Sequence, residues 1–182
     1  MLKFTTKINK KSVDTSDYGR EELLTKNLRN LLGTYPTGVA IVTMRKEDGT
    51  HVGLTINSFA SLSLEPPLIL WSLVNYSSNL EAFRNCSHFA INILSIEQQE
   101  LAIRFATQSI IDKFSGVQIE YVTEGLPVIK GALTTLICEN YACSDIGDHM
   151  LVIGRIVGTN HQPSTPLIFH AGSFTSLQNK HS

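Results

Sequence analysis

Charge is scarce in this sequence. Of 182 residues, 17% are Asp, Glu, Lys or Arg, and the formal net charge is −1. Lysine and arginine are scattered apart from a short run at Lys7, Lys10 and Lys11, so the chain carries no electrostatic footprint for nucleic acid. Cysteine is nearly absent as well. Cys86, Cys138 and Cys143 are odd in number and lack the paired spacing of a zinc site or a disulfide framework, which reads as reduced thiols in a cytoplasmic protein, with packing as their simplest role. The six histidines show no HExxH or other ligand spacing, so no metal site is expected. There is no GxSxG, GxGxxG or GxxxxGK[ST], which argues against a nucleophile elbow, a Rossmann site and a P-loop. The opening lysines precede no apolar run of signal-peptide length, and no segment approaches the roughly 18 apolar residues of a membrane helix, so neither secretion nor membrane insertion is expected.

What is present suffices for one core. At 42% hydrophobic residues a chain of this length is expected to close a single domain. Residues 1–20 are polar and without periodicity and read as a flexible arm, leaving 21–178 as the folded domain. From Arg20, the spacing of Leu23, Leu24, Leu28, Leu31 and Leu32 predicts a helix that packs on the core and stops at Gly33 and Pro36. Strand-like runs follow at Gly38–Thr43, Val52–Asn57, Leu68–Val74, Phe89–Leu94, Ala132–Tyr141 and His149–Gly158, with a hairpin turn at Glu47-Asp48-Gly49 between the first two. A short helix is predicted from Ser78 to Phe83. A capping box at Ser95-Ile96-Glu97-Gln98 opens a second, ending near Ala106. Many strands, few helices and no regular βαβ alternation predict a mainly β protein with flanking helices, an antiparallel barrel rather than a doubly wound sheet.

The stretch GLTINSFASLSLEPPL, residues 53–68, is the most informative. Read as extended chain, it places Val52, Leu54, Ile56, Ala60, Leu62 and Leu64 in a barrel interior, with Thr55, Asn57 and Ser61 opposite. Residues 52–64 contain no charge, unusual for a solvated face, and small hydroxyls and amides suit a phosphate or heteroaromatic ligand. A solvated face remains the alternative. Pro36-Thr37-Gly38-Val39 forms a turn through which backbone N–H groups can approach a ligand, or a plain connector. Ser77 and Ser78 lie where a helix begins, as anion donors or ordinary caps. Lys113 and Phe114 set a cation beside a ring, suited to an anionic cofactor or else to solvent and core respectively. Gly147-Asp148-His149-Met150 brings a carboxylate and an imidazole to a strand entry, where the histidine serves as acid, base or stacking surface, or is merely bonded in a turn.

In order, YPTGVAIVT, GLTINSFASLSLEPPLIL, SSNLEAF, FAINIL, FATQ with DKFSGV, GLPVIKGALTTLICE, GDHMLVIGRIVG and PLIFHAGSF resemble the flavin reductase-like family with the FMN-binding split barrel, from about Leu28 to Phe174. The resemblance implies a homodimeric Greek-key barrel that passes hydride from NADH or NADPH to FMN or FAD and supplies a flavin-dependent monooxygenase partner. By the same resemblance Pro36, Thr37, Gly38, Val39, Ile56, Asn57, Ser58, Ser61 and Leu62 line the flavin site, with Thr55 among the donors beside the ring. Ser77 and Ser78 match the phosphate side, and Gly147, Asp148, His149 and Met150 the nicotinamide side. His149 is the residue expected to position the nicotinamide for catalysis. Two competing readings use the same barrel: a carrier holding FMN without flavin turnover, and an enzyme of the pyridoxamine-phosphate oxidase type, whose basic phosphate-binding pattern is not evident. Ala171 and Ser173 stand where family members often carry larger or charged residues.

Overall fold

The computed structural model describes residues 17–122 and 125–177, so the segment read as a flexible arm lies mostly outside the described residues. Two compact units divide at Tyr35 and Pro36. The first contains helix α1 (Asp17–Leu32), which begins three residues before the expected start. Leu24, Leu28, Leu31 and Leu32 are all exposed on it. Its last turn closes through the Gly33 amide, which donates to the Arg29 carbonyl at 2.9 Å.

The second unit holds the strands β1 (Thr37–Gly38), β2 (Ala40–Arg45), β3 (His51–Ile56), β4 (Ala60–Leu64), β5 (Pro67–Val74) and β6 (His88–Ile93). They are followed by β7 (Ile119–Val122), β8 (Leu126–Ile129), β9 (Thr134–Ile146), β10 (His149–His161), β11 (Ile168–His170) and β12 (Ser173–Thr175). Helix α2 (Leu80–Asn85) precedes β6, and a 3₁₀ turn (Ile96–Gln98) leads into α3 (Gln99–Ala106). Seven strands form an antiparallel sheet in the order β3-β2-β6-β9-β10-β5-β4. The smaller sheets are β1-β11-β12 and β7-β8.

That order contains the proof of closure. β3 and β4 lie at opposite edges, yet only residues 57–59 join them. A chain extends at most about 3.6 Å per residue, so the edges must curl to meet. The fastener is Ser58, whose Oγ accepts from the Ser72 amide at 3.0 Å and lies 3.3 Å from the Ser72 carbonyl oxygen. A side chain here does what a strand ladder would do, and the barrel stays split between β3 and β5.

Two apolar clusters fix the curvature. Val42, Met44, Val52, Ile56, Ile69, Trp71, Phe83, Phe89, Ile91, Met150 and Val152 fill the barrel interior. Val39, Ile41, Leu94, Ala102, Phe105, Ile129 and Leu167 pack in the second cluster, which includes the buried side of α3. Alternate residues of β2 thus serve different cores, as the period of a strand requires. A fully buried Phe or Met contributes about 1.5–3 kcal/mol. Between the clusters sits Asn92, fully buried, whose Nδ2 donates to the Ile41 carbonyl (2.9 Å) and Thr43 Oγ1 (3.1 Å) while its Oδ1 accepts from the Ile129 amide (2.9 Å). This polar hub joins β8 to the main sheet.

The expected hairpin at 47–49 forms, with Gly49 at φ +86° and the Thr50 amide donating to Asp48 Oδ1 at 2.8 Å. The expected capping box forms too, the Ser95 amide donating to Gln98 Oε1 at 3.2 Å. One expectation fails. Ala60, Leu62 and Leu64 do not enter the barrel but are exposed, Leu64 at 92%. Residues 57–59 break the extended run, and β4 is an edge strand with a bulge between Ser61 and Ser63, so the alternation set by β3 does not continue across the turn. β7 and β8 arise where no strand was expected, each only four residues long and β8 containing Pro127.

Candidate functional site

The split in the barrel opens a cavity of about 900 Å³. One wall is β3 from His51 to Thr55; the opposite wall is the end of β5, Leu73 and Val74, continuing through Tyr76 to Asn79. The segment after α3, residues 110–114, forms the third side. Its lining is possible only because residue 53 is glycine: a Cβ there would stand 2.5 Å from the Phe105 ring and 3.1 Å from that of Phe114. The backbone of β3 and the rings behind it are therefore in close approach.

Of the residues singled out from the sequence, Thr55, Ser77, Ser78, Lys113 and Phe114 line this cavity together. The Thr55 hydroxyl is already engaged, donating to the Ala102 carbonyl at 2.6 Å and tying β3 to α3. Ser77 Oγ accepts from the Asn79 amide at 3.3 Å, whereas Ser78 is exposed. Helix α2 starts at Leu80 with Asn79 as its cap, so the two serines precede the helix rather than open it. Lys113 donates from Nζ to the Phe105 carbonyl at 2.7 Å, and burial lowers its pKa. That bond ties the ammonium to the end of α3 at the cavity wall.

Pro36, Thr37, Gly38 and Val39 lie beside this cavity through strand register, not as its lining. Ala40 pairs with Ile56 and Ile41 with Thr55, which brings the residues before β2 next to those after β3. Gly38 is exposed with open space where a Cβ would be. Thr37 Oγ1 is buried and has no hydrogen-bond partner, one of three such side-chain atoms among the described residues. A buried hydroxyl without a partner is costly, and a ligand bearing polar groups at this place relieves it. Asn57, Ser61 and Leu62 are exposed at the turn and on the edge strand; Ile56 is buried in the core.

The Gly147–Asp148–His149 turn caps the β9–β10 hairpin. Gly147 has φ +62°, and Asp148 Oδ1 lies 2.6 Å from His149 Nδ1. The imidazole hydrogen bond holds the Asp148 carboxyl below its ordinary pKa. Asn75 anchors the turn, its amide donating to the Asp148 carbonyl at 2.9 Å and its Nδ2 to the Gly147 carbonyl at 3.3 Å. His149 is the direct cross-strand partner of Val74, so the imidazole and a cavity-lining residue share one face of the sheet. Met150 differs from its neighbours: it points into the barrel and is fully buried, leaving no side-chain surface for a ligand. Sequence reasoning missed Asn75, His51 and Lys46. The ring partners of His51, Phe114 and Tyr121, are far off in sequence, so no local pattern marks it.

The cavity in the split antiparallel barrel is thus flanked by the hydroxyls of Thr55, Ser77 and Ser78, and the ladder partner of its Val74 belongs to a carboxylate–imidazole turn. The flavin reductase like domain matches residues 32–178. The FMN reductase (NADH) SmoA of Agrobacterium fabrum is 41% identical over 149 residues, covering 82% of this chain and 84% of that protein. The reductase component of the flavin-dependent trigonelline monooxygenase of Acinetobacter baylyi is 38% identical, and the match spans 82% of this chain but 48% of that longer protein. Among solved structures, nitrilotriacetate monooxygenase component B from Mycobacterium thermoresistibile superposes with a TM-score of 0.84 at 34% identity, covering 89% of this chain and 92% of that one. The NADH:FAD oxidoreductase SgcE6 of Streptomyces globisporus, solved with NAD and FAD fragments, gives 0.82 at 28% identity, covering 93% and 100%. The chain belongs to the flavin reductase-like family.

Proposed function

We infer that the protein is an NAD(P)H-dependent flavin reductase that uses FMN or FAD and hands reduced flavin to a monooxygenase partner. The observation that carries this reading is the Asp148–His149 pair standing across the strand ladder from Val74, a residue that lines the cavity in the barrel split. A carrier needs only the flavin seat; a reductase also needs a place for a second ring.

When bound, flavin supplies the acceptor for a hydride from a reduced nicotinamide, so the protein's task is positioning. Thr37 Oγ1 and the backbone around Gly38 are available to hydrogen-bond the ring system, and the open space at Gly38 admits it closely. Lys113 provides a fixed cation facing the cavity, and Ser77 and Ser78 provide hydroxyls at its other wall for a phosphate. Asp148, as an acceptor, places a hydrogen on His149 Nδ1 and so fixes the ring's orientation. His149 then positions the nicotinamide.

The exposed edge strand β4, with Leu62 and Leu64 at its surface, is consistent with a homodimer that covers it. No described helix is long and apolar enough to cross a membrane, and a cytoplasmic location is part of the same proposal. The test is oxidation of NADH and NADPH by the purified protein with and without FMN, FAD or riboflavin. Flavin-dependent oxidation is expected; rates at the buffer level for every flavin would reject the reading.

A further inference from the structure

The cavity continues past the part the flavin-site residues account for. From Thr55, β3 runs on to His51, about 13 Å at strand rise, and the cavity follows it to Lys46 and Thr50 on the hairpin. Its volume of about 900 Å³ lies near the top of the range of roughly 300–1,000 Å³ for small-molecule pockets. A mononucleotide seated by Thr55, Ser77 and Lys113 leaves this far end open.

The far end is built of rings. Phe105, fully buried, meets Phe114 edge-on at 5.0 Å and 87°; Phe114 meets His51 at 5.6 Å and 65°; His51 meets Tyr121 at 5.5 Å and 49°. The row runs from the core to the surface, and none of its pairs is stacked face to face. The rings of His51 and Phe114 are half-buried, and both residues line the cavity. Lys46 adds a cation at the same end. Asp112 also lines the cavity, its Oδ1 accepting from the amides of Phe114 (3.1 Å) and Ser115 (3.0 Å), and on the hairpin Asp48 Oδ1 accepts from that of Thr50 (2.8 Å).

Ring faces with a cation beside them recognise a nucleobase with its phosphate. We propose that the end of the cavity bounded by His51, Phe114 and Lys46 seats the adenosine monophosphate end of a dinucleotide, a proposal that rests on the flavin reductase reading above. Two dinucleotides of the reaction carry that group, FAD and NADH. The seat makes the enzyme prefer one dinucleotide to its mononucleotide counterpart.

Two ratios read it out: Kd(FMN)/Kd(FAD) by flavin fluorescence, and KM for reduced nicotinamide mononucleotide over KM for NADH. In the native protein one ratio is expected to exceed about five, the lower end of base–aromatic stacking, and the ratio that does so names the dinucleotide. His51→Ala should bring that ratio near one, whereas His51→Phe should keep it. AMP should compete with the preferred dinucleotide in the unaltered protein, which gives an answer even where a variant folds poorly. Both ratios near one, no change in His51→Ala, or no competition by AMP would overturn the seat. Absence of any flavin-dependent NADH oxidation is a separate failure, of the reductase reading itself.

Discussion

Asp148 Oδ1 and His149 Nδ1 are 2.6 Å apart in adjacent residues of a turn that Asn75 ties to the end of β5. Neighbouring side chains along a strand point to opposite faces, so a bond between them needs the turn conformation that Gly147 provides at φ +62°. His149→Ala should raise KM for the nicotinamide nucleotide more than it weakens flavin binding; the reverse would reject the placement of this residue. Asp148→Asn keeps the size but gains a donor and should produce the same pattern, smaller, about three- to tenfold in KM.

The pH dependence of that pair has a definite sign. His149 lowers the Asp148 pKa, so the carboxylate's contribution is present above the ordinary carboxylate pKa and is lost only as pH falls through a still lower value. KM measured between pH 5 and pH 8, a window lying above the carboxylate pKa of about 3.9, should show no acid limb that Asp148→Asn removes.

Gly53→Ala would drive a methyl to within 2.5 Å of the Phe105 ring, which is fully buried and cannot retreat. Overpacking of this kind costs about 1–3 kcal/mol. Denaturant midpoints should fall accordingly, and flavin affinity with them, because the same strand is a wall of the cavity. A variant as stable as the native protein would show that β3 and α3 are less tightly joined than their geometry requires.

Asn92→Ala would strand the Ile129 amide in a buried place and remove the side-chain donor to Thr43 Oγ1. A loss of about 2–4 kcal/mol is expected from the unmet amide, the lost side-chain bonds and a small cavity. Amide hydrogen exchange should rise first at β8, which the hub attaches.

Burial pushes the thiols of Cys86 and Cys138 up to about 12 and raises that of Cys143. All three should resist a thiol reagent at pH 8 in the folded protein and react after denaturation. For a raised thiol pKa the contribution to stability is whole below the unfolded pKa of about 8.5 and is lost as pH rises toward 12. Alkaline unfolding near pH 10 should shift upward when Cys138 is replaced by Ala, once the cost of the cavity is subtracted at pH 7.

Much of the strand plan was legible locally. β2, β3, β5, β6, β9 and β10 announce themselves through β-branched runs bounded by Gly, Pro and Asp, and the turn at Gly49 and the capping box at Ser95 follow from residue types a few positions apart. β7 and β8 were not legible, because each is four residues long and depends on Asn92, which stands 37 residues from its Ile129 partner. Leu62 and Leu64 misled for a related reason: alternation predicts a face but cannot see that three residues of turn, and a bulge, restart it.

The sequence by itself determined most of the longer elements and the family, since periodicity, turn residues and ordered motifs are properties of neighbours along the chain. Only the tertiary structure decided that the edge strand β3 comes round to β5, where the linker residue Ser58 bonds Ser72, opening a cavity between the two strands. It alone brought His51 to Phe114, and Val74 to His149. Closure depends on how two apolar cores bend a sheet, and no local stretch of residues encodes that curvature.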